Sequence, residues 1–142
     1  MEEQQKLVEA IQRIEEYLDA KLKELKSLSQ THLAESKRRG VEQQSKLYMR
    51  VTSSPSGRAI NVAWYYTKFW RKKDGTYHRE LTYLGKGNLR KLVQYAKEWE
   101  NNWLQTMVAA EQQITEEAKK LNKALRLLDI IVRNKDEKGD ID

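Results

Sequence analysis

Residues 58–75 read RAINVAWYYTKFWRKKDG, and this stretch decides the fold. From residue 59 to residue 71, β-branched and aromatic side chains dominate, and these fit the pleated surface of a strand. Asp74-Gly75 follows, and an Asp-Gly pair beside such a run is a strong hairpin signal. The stretch therefore predicts a long strand that turns back on itself at Asp74-Gly75.

Two shorter segments complete a predicted three-stranded antiparallel sheet over residues 44–87. Upstream, residues 46–52 alternate between polar and apolar side chains, which is the period of a strand. Residues 53–57, SSPSG, form a turn cluster between these two strands. Downstream, residues 76–84 predict the third strand, and Gly85-Lys86-Gly87 ends it.

The register of the predicted hairpin stays open. A two-residue loop at Asp74-Gly75 would place Tyr66 opposite Tyr83. A three-residue loop with a bulge at Gly75 would shift that pairing by one residue. The sequence therefore does not decide which face of the sheet is buried.

The N-terminal segment, residues 1–43, predicts one long helix. It has no Gly or Pro before Gly40, and strong helix formers dominate it. Apolar residues recur at alternating steps of four and three, which is the pattern of a packing seam, although Lys21 interrupts the series and Leu22 beside it can cover the gap. These residues are Leu7, Ile11, Ile14, Leu18, Leu25 and Leu28. His32 continues the seam, so we expect it to be packed rather than to bind a ligand. Arg38-Arg39-Gly40 resembles a helix stop.

Residues 88–134 predict a second long helix, which begins with Asn88 as its N-cap and runs to about Arg133. It carries another heptad-like stripe. The members of this stripe are Val93, Ala96, Trp103, Met107, Ala110, Ile114, Leu121, Ala124, Leu128 and Ile131. Residues 135–142 are charged and poor in apolar side chains, so they are predicted to be disordered.

The expected fold is α+β. Neither long helix would leave its apolar stripe in water, so the two are expected to form an antiparallel hairpin or coiled coil. The small three-stranded antiparallel sheet would then be inserted between them. The stripes are wide, and this also predicts a homodimer held through the helices.

The positive charge is concentrated in the predicted sheet. The 142-residue chain carries 27 Lys and Arg against 21 Asp and Glu, a formal net charge of +6. Residues 44–95 hold 11 of the basic residues and two of the acidic ones, and eight of the 12 aromatic residues lie between positions 48 and 83. Basic side chains neutralise phosphates, and aromatic rings stack on unpaired bases. This segment therefore predicts binding to nucleic acid.

A three-stranded sheet can enter the major groove, so duplex DNA is the expected partner. The candidate nucleic-acid-binding residues are Lys46, Tyr48, Arg50, Arg58, Lys68, Arg71, Lys72, Lys73, Arg79, Lys86 and Arg90. Gly85-Lys86-Gly87-Asn88 leads into a helix N-terminus, whose backbone N–H groups could hold a phosphate.

Two structural alternatives stand beside this interpretation. Four of the rings could simply be core between sheet and helix. These rings are Trp64, Tyr66, Trp70 and Tyr83. The charges of Arg71-Lys72-Lys73 could equally be ordinary solvated hairpin charge.

The composition is unfavourable for catalysis. The chain has two histidines, no cysteine and no clustered carboxylates in its centre, so no catalytic residue, metal or cofactor is expected. Tyr65 or Tyr66 could act as the nucleophile of a DNA-nicking enzyme, but such enzymes usually need a histidine-cluster metal site. No apolar run approaches the roughly 20 residues that span a bilayer, and the acidic N-terminus is unlike a signal peptide. A cytoplasmic protein is expected, with no membrane partner.

The order of motifs along the chain supports a family resemblance. GRAINVAWYY at residues 57–66, the basic hairpin, Gly85-Lys86-Gly87 and AKEWE at residues 96–100 follow one another between two helices. This order resembles the MobI family of conjugative mobilisation proteins over about residues 45–130. More loosely, it is similar to the three-strands-plus-helix DNA-binding domains of phage-type integrases. The MobI resemblance implies an accessory factor that acts at the origin of transfer of a plasmid or integrative element and assists a separate relaxase. It assigns no base-contacting residues.

Two other functions fit the same pattern. A coiled-coil interaction protein or chaperone-like subunit with a β tip, built as prefoldin-type subunits are, would bind an acidic protein partner instead of DNA. Exposed Tyr and Trp side chains could also bind RNA or single-stranded nucleic acid.

Overall fold

The computed structural model describes residues 2–141, without the side chains of Trp70, Arg71 and residues 136–141. The chain is α+β, with long helices and one three-stranded antiparallel sheet, as predicted. The elements are α1 (Glu2–Arg38), β1 (Leu47–Ser53), β2 (Ile60–Arg71), β3 (Tyr77–Gly85), α2 (Leu89–Leu92) and α3 (Asn101–Ile141). Single 3-10 turns lie at Val41–Gln43 and Glu98–Glu100.

Helix α1 ends where its sequence predicts. Lys37 and Arg38 occupy the last turn, where positive side chains interact favourably with the negative end of the helix dipole. Gly40 then takes a φ of 89°, a left-handed conformation that suits glycine. The predicted stop signal at residues 38–40 is confirmed.

The predicted second helix begins at its predicted N-cap, but it is interrupted and extends past its predicted end. Asn88 does cap a helix, since its side chain accepts a hydrogen bond from Lys91 N, but that helix, α2, is only four residues long. The chain enters α3 through the 3-10 turn Glu98–Glu100, which is capped because Glu100 folds back to accept from Lys97 N at 2.9 Å. At the other end, α3 continues through Ile141, past the predicted end at about Arg133. Asp142, the last residue of the tail predicted to be disordered, lies outside the described residues.

The sheet has the strand order β1-β2-β3, and its hairpin has the longer of the two predicted loops. Lys68 lies opposite Glu80, so the register of a two-residue loop is wrong. Lys72 N donates to Thr76 O at 2.7 Å, which leaves three residues in the loop, and Gly75 has a φ of 89°. This is the three-residue loop with a glycine bulge.

One face of the sheet and the long helices share a single core. The core is formed by Leu47, Met49 and Trp64 of the sheet, Leu18 and Leu25 of α1, and Leu104, Met107 and Leu125 of α3. Each of these side chains is at most 2% exposed, and burial of such a side chain contributes about 1.5–3 kcal/mol. The inner face of β1 and of the first half of β2 is therefore fixed by packing.

Contacts between α1 and α3 occur in opposite order along the two helices. Lys135 forms an ion pair with Glu3 at 3.0 Å, the Tyr17 hydroxyl donates to Glu117, and His32 contacts Glu100, just before α3. Along the described residues, no helix has an apolar stretch long enough to cross a membrane.

Candidate nucleic-acid interface

The outer face of the sheet is the surface opposite the core. Because side chains alternate along a strand, the inward Leu47 and Met49 place Tyr48 and Arg50 outward, and the strand register extends this face across the sheet. We define the outer face as Lys46, Tyr48, Arg50, Thr52, Asn61, Ala63, Tyr65, Thr67, Phe69, Tyr77, Arg79, Leu81 and Tyr83. None of these residues is acidic.

Aromatic rings cover much of the outer face. Tyr83 is 65% exposed, Phe69 58% and Tyr77 75%, and Tyr48 is exposed as well. Tyr65 is half-buried, and its ring centroid lies 5.6 Å from that of Tyr83. Exposed rings of this kind offer flat surfaces on which a base can stack.

Several of the predicted binding residues converge on this face. Lys46, Tyr48, Arg50 and Arg79 belong to it, and Lys86 lies beside it in the loop after β3. Lys72 and Lys73 are exposed at the tip of the hairpin, while the side chain of Arg71 lies outside the described residues.

Other predicted binding residues lie elsewhere. Lys68 projects from the opposite face of β2, across from Glu80, and Arg90 is exposed on α2. Arg58 is engaged by both long helices, because its guanidinium donates to Asp129 at 2.5 Å and to Glu15 at 3.3 Å. The hydrogen bond from Arg58 lowers the pKa of Asp129. Arg58 therefore acts in the structure as a link between the sheet and the helices.

The rings divide between the core and the surface. Trp64 is fully buried, as the core interpretation expects, and Tyr66 is half-buried against Tyr95, with 4.6 Å between ring centroids. For Tyr83 the core interpretation is wrong, because this ring is largely exposed. The side chain of Trp70 lies outside the described residues.

The Gly85-Lys86-Gly87 loop has a structural explanation. Gly85 has a φ of 83°, and Gly87 N donates to Glu111 Oε2 at 2.9 Å. The other oxygen of Glu111 accepts from Trp64 Nε1 at 2.6 Å. The N–H of Gly87 is therefore already used and is not open to the phosphate that the sequence suggested.

A cleft of 570 Å³ adjoins the outer face, and the sequence did not indicate it. Its walls include Arg50, Tyr65 and Tyr83 of the sheet, Lys86 of the loop and Lys119 of α3. Lys119 was not among the residues predicted to bind nucleic acid. The signal that could have found it is the spacing of Glu111, Thr115 and Lys119, which recur every four residues and so share one side of α3.

A second polar cluster is buried between α1 and the start of α3. His32 is 1% exposed, and its Nε2 lies 2.8 Å from Glu100 Oε2, which also accepts from Ser45 Oγ at 2.5 Å. The ring centroid of His32 is 5.8 Å from that of Trp99 and 6.0 Å from that of Trp103. The prediction that His32 is a packed residue is confirmed, but its carboxylate partner was not predicted.

Glu100 is the acidic member of this cluster. Its burial favours the neutral carboxyl, but hydrogen bonds from His32, Ser45 and the backbone of Lys97 outweigh that effect and lower the pKa of Glu100 below its ordinary value of 4.5. Throughout the described residues, no group of three or more His, Asp or Glu side chains could hold a metal ion.

Comparisons of this chain with family models, with curated proteins and with solved structures each gave no significant match.

Proposed function

We propose that this protein binds DNA through the outer face of the sheet and catalyses no reaction itself. The observation that carries the proposal is the composition of that face, which combines exposed rings and basic side chains with no acidic residue. A polyanion is attracted by the basic side chains of such a surface and meets no carboxylate on it.

The basic side chains of the outer face are available for a partner. Within the described part of the chain, Lys46, Arg50 and Arg79 form no ion pair, and neither does Lys86 beside them. Arg58, in contrast, is already neutralised by two carboxylates. Cations that no protein carboxylate neutralises give the largest release of counterions from DNA.

The hairpin has a shape that suits a groove. Beyond Thr67, the described side chains of β2, the loop and β3 are exposed as far as Tyr83, apart from the half-buried His78. This segment therefore stands clear of the core on both faces. A two- or three-stranded ribbon of this kind can enter the major groove of duplex DNA, and Lys72 and Lys73 would meet phosphates at its tip.

The cellular role in the proposal comes from the resemblance to the MobI family. We infer an accessory protein of the cytoplasm that binds duplex DNA at an origin of transfer and assists a separate relaxase. The long helices α1 and α3 would form an antiparallel hairpin that carries the sheet. Exposed Leu127, Ile130 and Ile131 near the end of α3 would contribute to a homodimer held through the helices.

Fluorescence anisotropy with labelled duplexes at several salt concentrations tests the proposal. The double variant Arg50→Ala/Arg79→Ala should weaken binding and reduce the slope of log K against log salt by up to about 1.8, since each lost phosphate contact removes about 0.9. The control is Lys23→Ala/Arg38→Ala, which removes two exposed cations from α1 and should leave the slope unchanged.

Two results would contradict the proposal. Equal slopes for the two double variants would remove the outer face from the contact surface. No affinity for any duplex at about 0.15 M salt would favour the coiled-coil protein-interaction function instead.

A further inference from the structure

We infer that the cleft beside the outer face holds one unpaired nucleotide of the bound DNA. This inference rests on the proposed function, because the outer face would deliver the DNA to the cleft. It adds one property to the proposed function, namely a preference for distorted or partly unpaired DNA. Binding by the sheet alone would not produce this preference.

The cleft exists because β3 is shorter than β2. Pairing between these strands ends at Trp64 and Gly85, so residues 60–63 of β2 have no strand on that side. Thr115 and Lys119 of α3 form the opposite wall. The volume of 570 Å³ lies within the roughly 300–1,000 Å³ of typical small-molecule sites.

The electrostatics of the cleft favour an anion. Arg50, Lys86 and Lys119 line it, and none of them forms an ion pair within the described part of the chain. Glu111 is the one carboxylate among the lining residues, and the Trp64 indole and Gly87 N–H already bind its two oxygens. A nucleotide phosphate would therefore meet three available cations and one carboxylate that is already engaged.

A base has both a ring to stack on and groups to bind its edge. Tyr65 and Tyr83 supply aromatic surface at the mouth of the cleft, and Asn61 supplies an amide. Thr67 N donates to Lys46 O, so the backbone N–H and C=O groups of odd-numbered residues in β2 point toward β1. The backbone N–H and C=O groups of even-numbered residues in the open part of the strand therefore point toward the cleft. Only an unpaired base could use these groups, because pairing occupies its edge and stacking covers its faces.

The experiment compares three labelled duplexes of one sequence. One duplex is fully paired, one has a single unpaired 2-aminopurine, and one has an abasic site at that position. The protein should bind the 2-aminopurine duplex about tenfold more tightly than either of the others, because stacking on a tyrosine adds that much affinity. The emission of 2-aminopurine should fall on binding, since stacking on the tyrosine rings quenches it.

Neighbouring lysines on α3 provide matched variants. Lys119→Ala should abolish most of the preference for the unpaired base and leave affinity for the paired duplex within about twofold. Lys120→Ala removes an exposed charge one residue away that does not line the cleft, so it should change neither affinity. Tyr65→Leu should also lose the preference for the unpaired base. A melting temperature of this variant equal to that of the wild type would show that its fold is intact.

The outcomes separate this inference from the proposed function. Equal affinity of the wild type for all three duplexes, with Arg50→Ala/Arg79→Ala weakening each of them, would overturn the cleft inference and leave DNA binding in place. A Lys119→Ala variant that loses affinity equally for paired and unpaired duplexes would also overturn it. Failure to bind any of the three duplexes would overturn both.

Discussion

Glu111 shows how one buried carboxylate can join three separate parts of the chain. It is 3% exposed, and its oxygens accept from the indole of Trp64 in β2 and from the backbone of Gly87 after β3. A Cβ at position 87 would lie 3.0 Å from Trp64 Nε1 and closer still to Glu111 Oε1. Glycine is therefore needed at this position for close packing, and the Gly87 N–H is held by Glu111.

Glu100 gives a prediction for the pH dependence of stability. Its pKa is lower in the folded chain than the ordinary value of 4.5, so below about pH 4.5 the unfolded chain binds more protons at this site than the folded one. The stabilisation is complete above that pH and is lost as pH falls through the lowered pKa. Glu100→Gln should reduce the free energy of unfolding at pH 7 by about 1–3 kcal/mol.

Urea unfolding at a series of pH values checks this prediction. The wild type should lose stability more steeply than Glu100→Gln as the pH falls below about 4.5. The exposed Glu98→Gln serves as the control and should follow the wild type. If the free energy of unfolding fell in parallel with pH for the wild type and Glu100→Gln, the Glu100 carboxylate would not be the source of the pH dependence.

At the scale of elements, the strands were predictable and the second helix was not. Alternation along β1 and the turn residues around Asp74-Gly75 are local signals, and each strand begins and ends within a residue of its predicted limits. Glu100 caps the turn before α3 and also contacts His32, which lies 68 residues earlier, and no local pattern contains that second contact. For the same reason, the sequence predicted that Arg58 binds nucleic acid. In the structure it forms ion pairs with two carboxylates that are distant in sequence.

The hairpin tip is an element whose contribution to binding can be measured. The triple variant Arg71→Ala/Lys72→Ala/Lys73→Ala should weaken duplex binding and reduce the salt slope by up to about 2.7 if all three positions contact phosphates. The turn itself should survive, because Asp74 Oδ1 accepts from Thr76 N at 3.0 Å and Lys72 bonds through its backbone. Circular dichroism controls for the fold, and an unchanged slope would exclude the tip from the contact surface.

At the scale of the whole molecule, the structure separates cations that hold the fold together from cations that are free. Arg58 joins the start of β2 to Glu15 of α1 and Asp129 of α3. Arg50 lies on the outer face and forms no ion pair with any residue that the structure describes. Net charge alone would count both residues as equal contributions to a basic surface, and only the three-dimensional contacts distinguish them.

This distinction predicts opposite effects for two arginine variants. Arg58→Ala should lower the free energy of unfolding by up to about 1 kcal/mol and leave the salt slope of DNA binding unchanged. Arg50→Ala should leave stability unchanged and reduce the slope by about 0.9. Chemical denaturation and anisotropy titrations on the same preparations measure both quantities. A reduced slope for Arg58→Ala would mean that this side chain leaves its carboxylates to contact DNA.

Beyond Thr67, the described side chains of the hairpin are exposed as far as Tyr83, apart from the half-buried His78. Substitutions at these exposed positions should cost little folding free energy, so the side chains that would read DNA can diverge. Related chains could thus acquire new target sequences by exchanging this ribbon alone, while the helical scaffold beneath it stays unchanged.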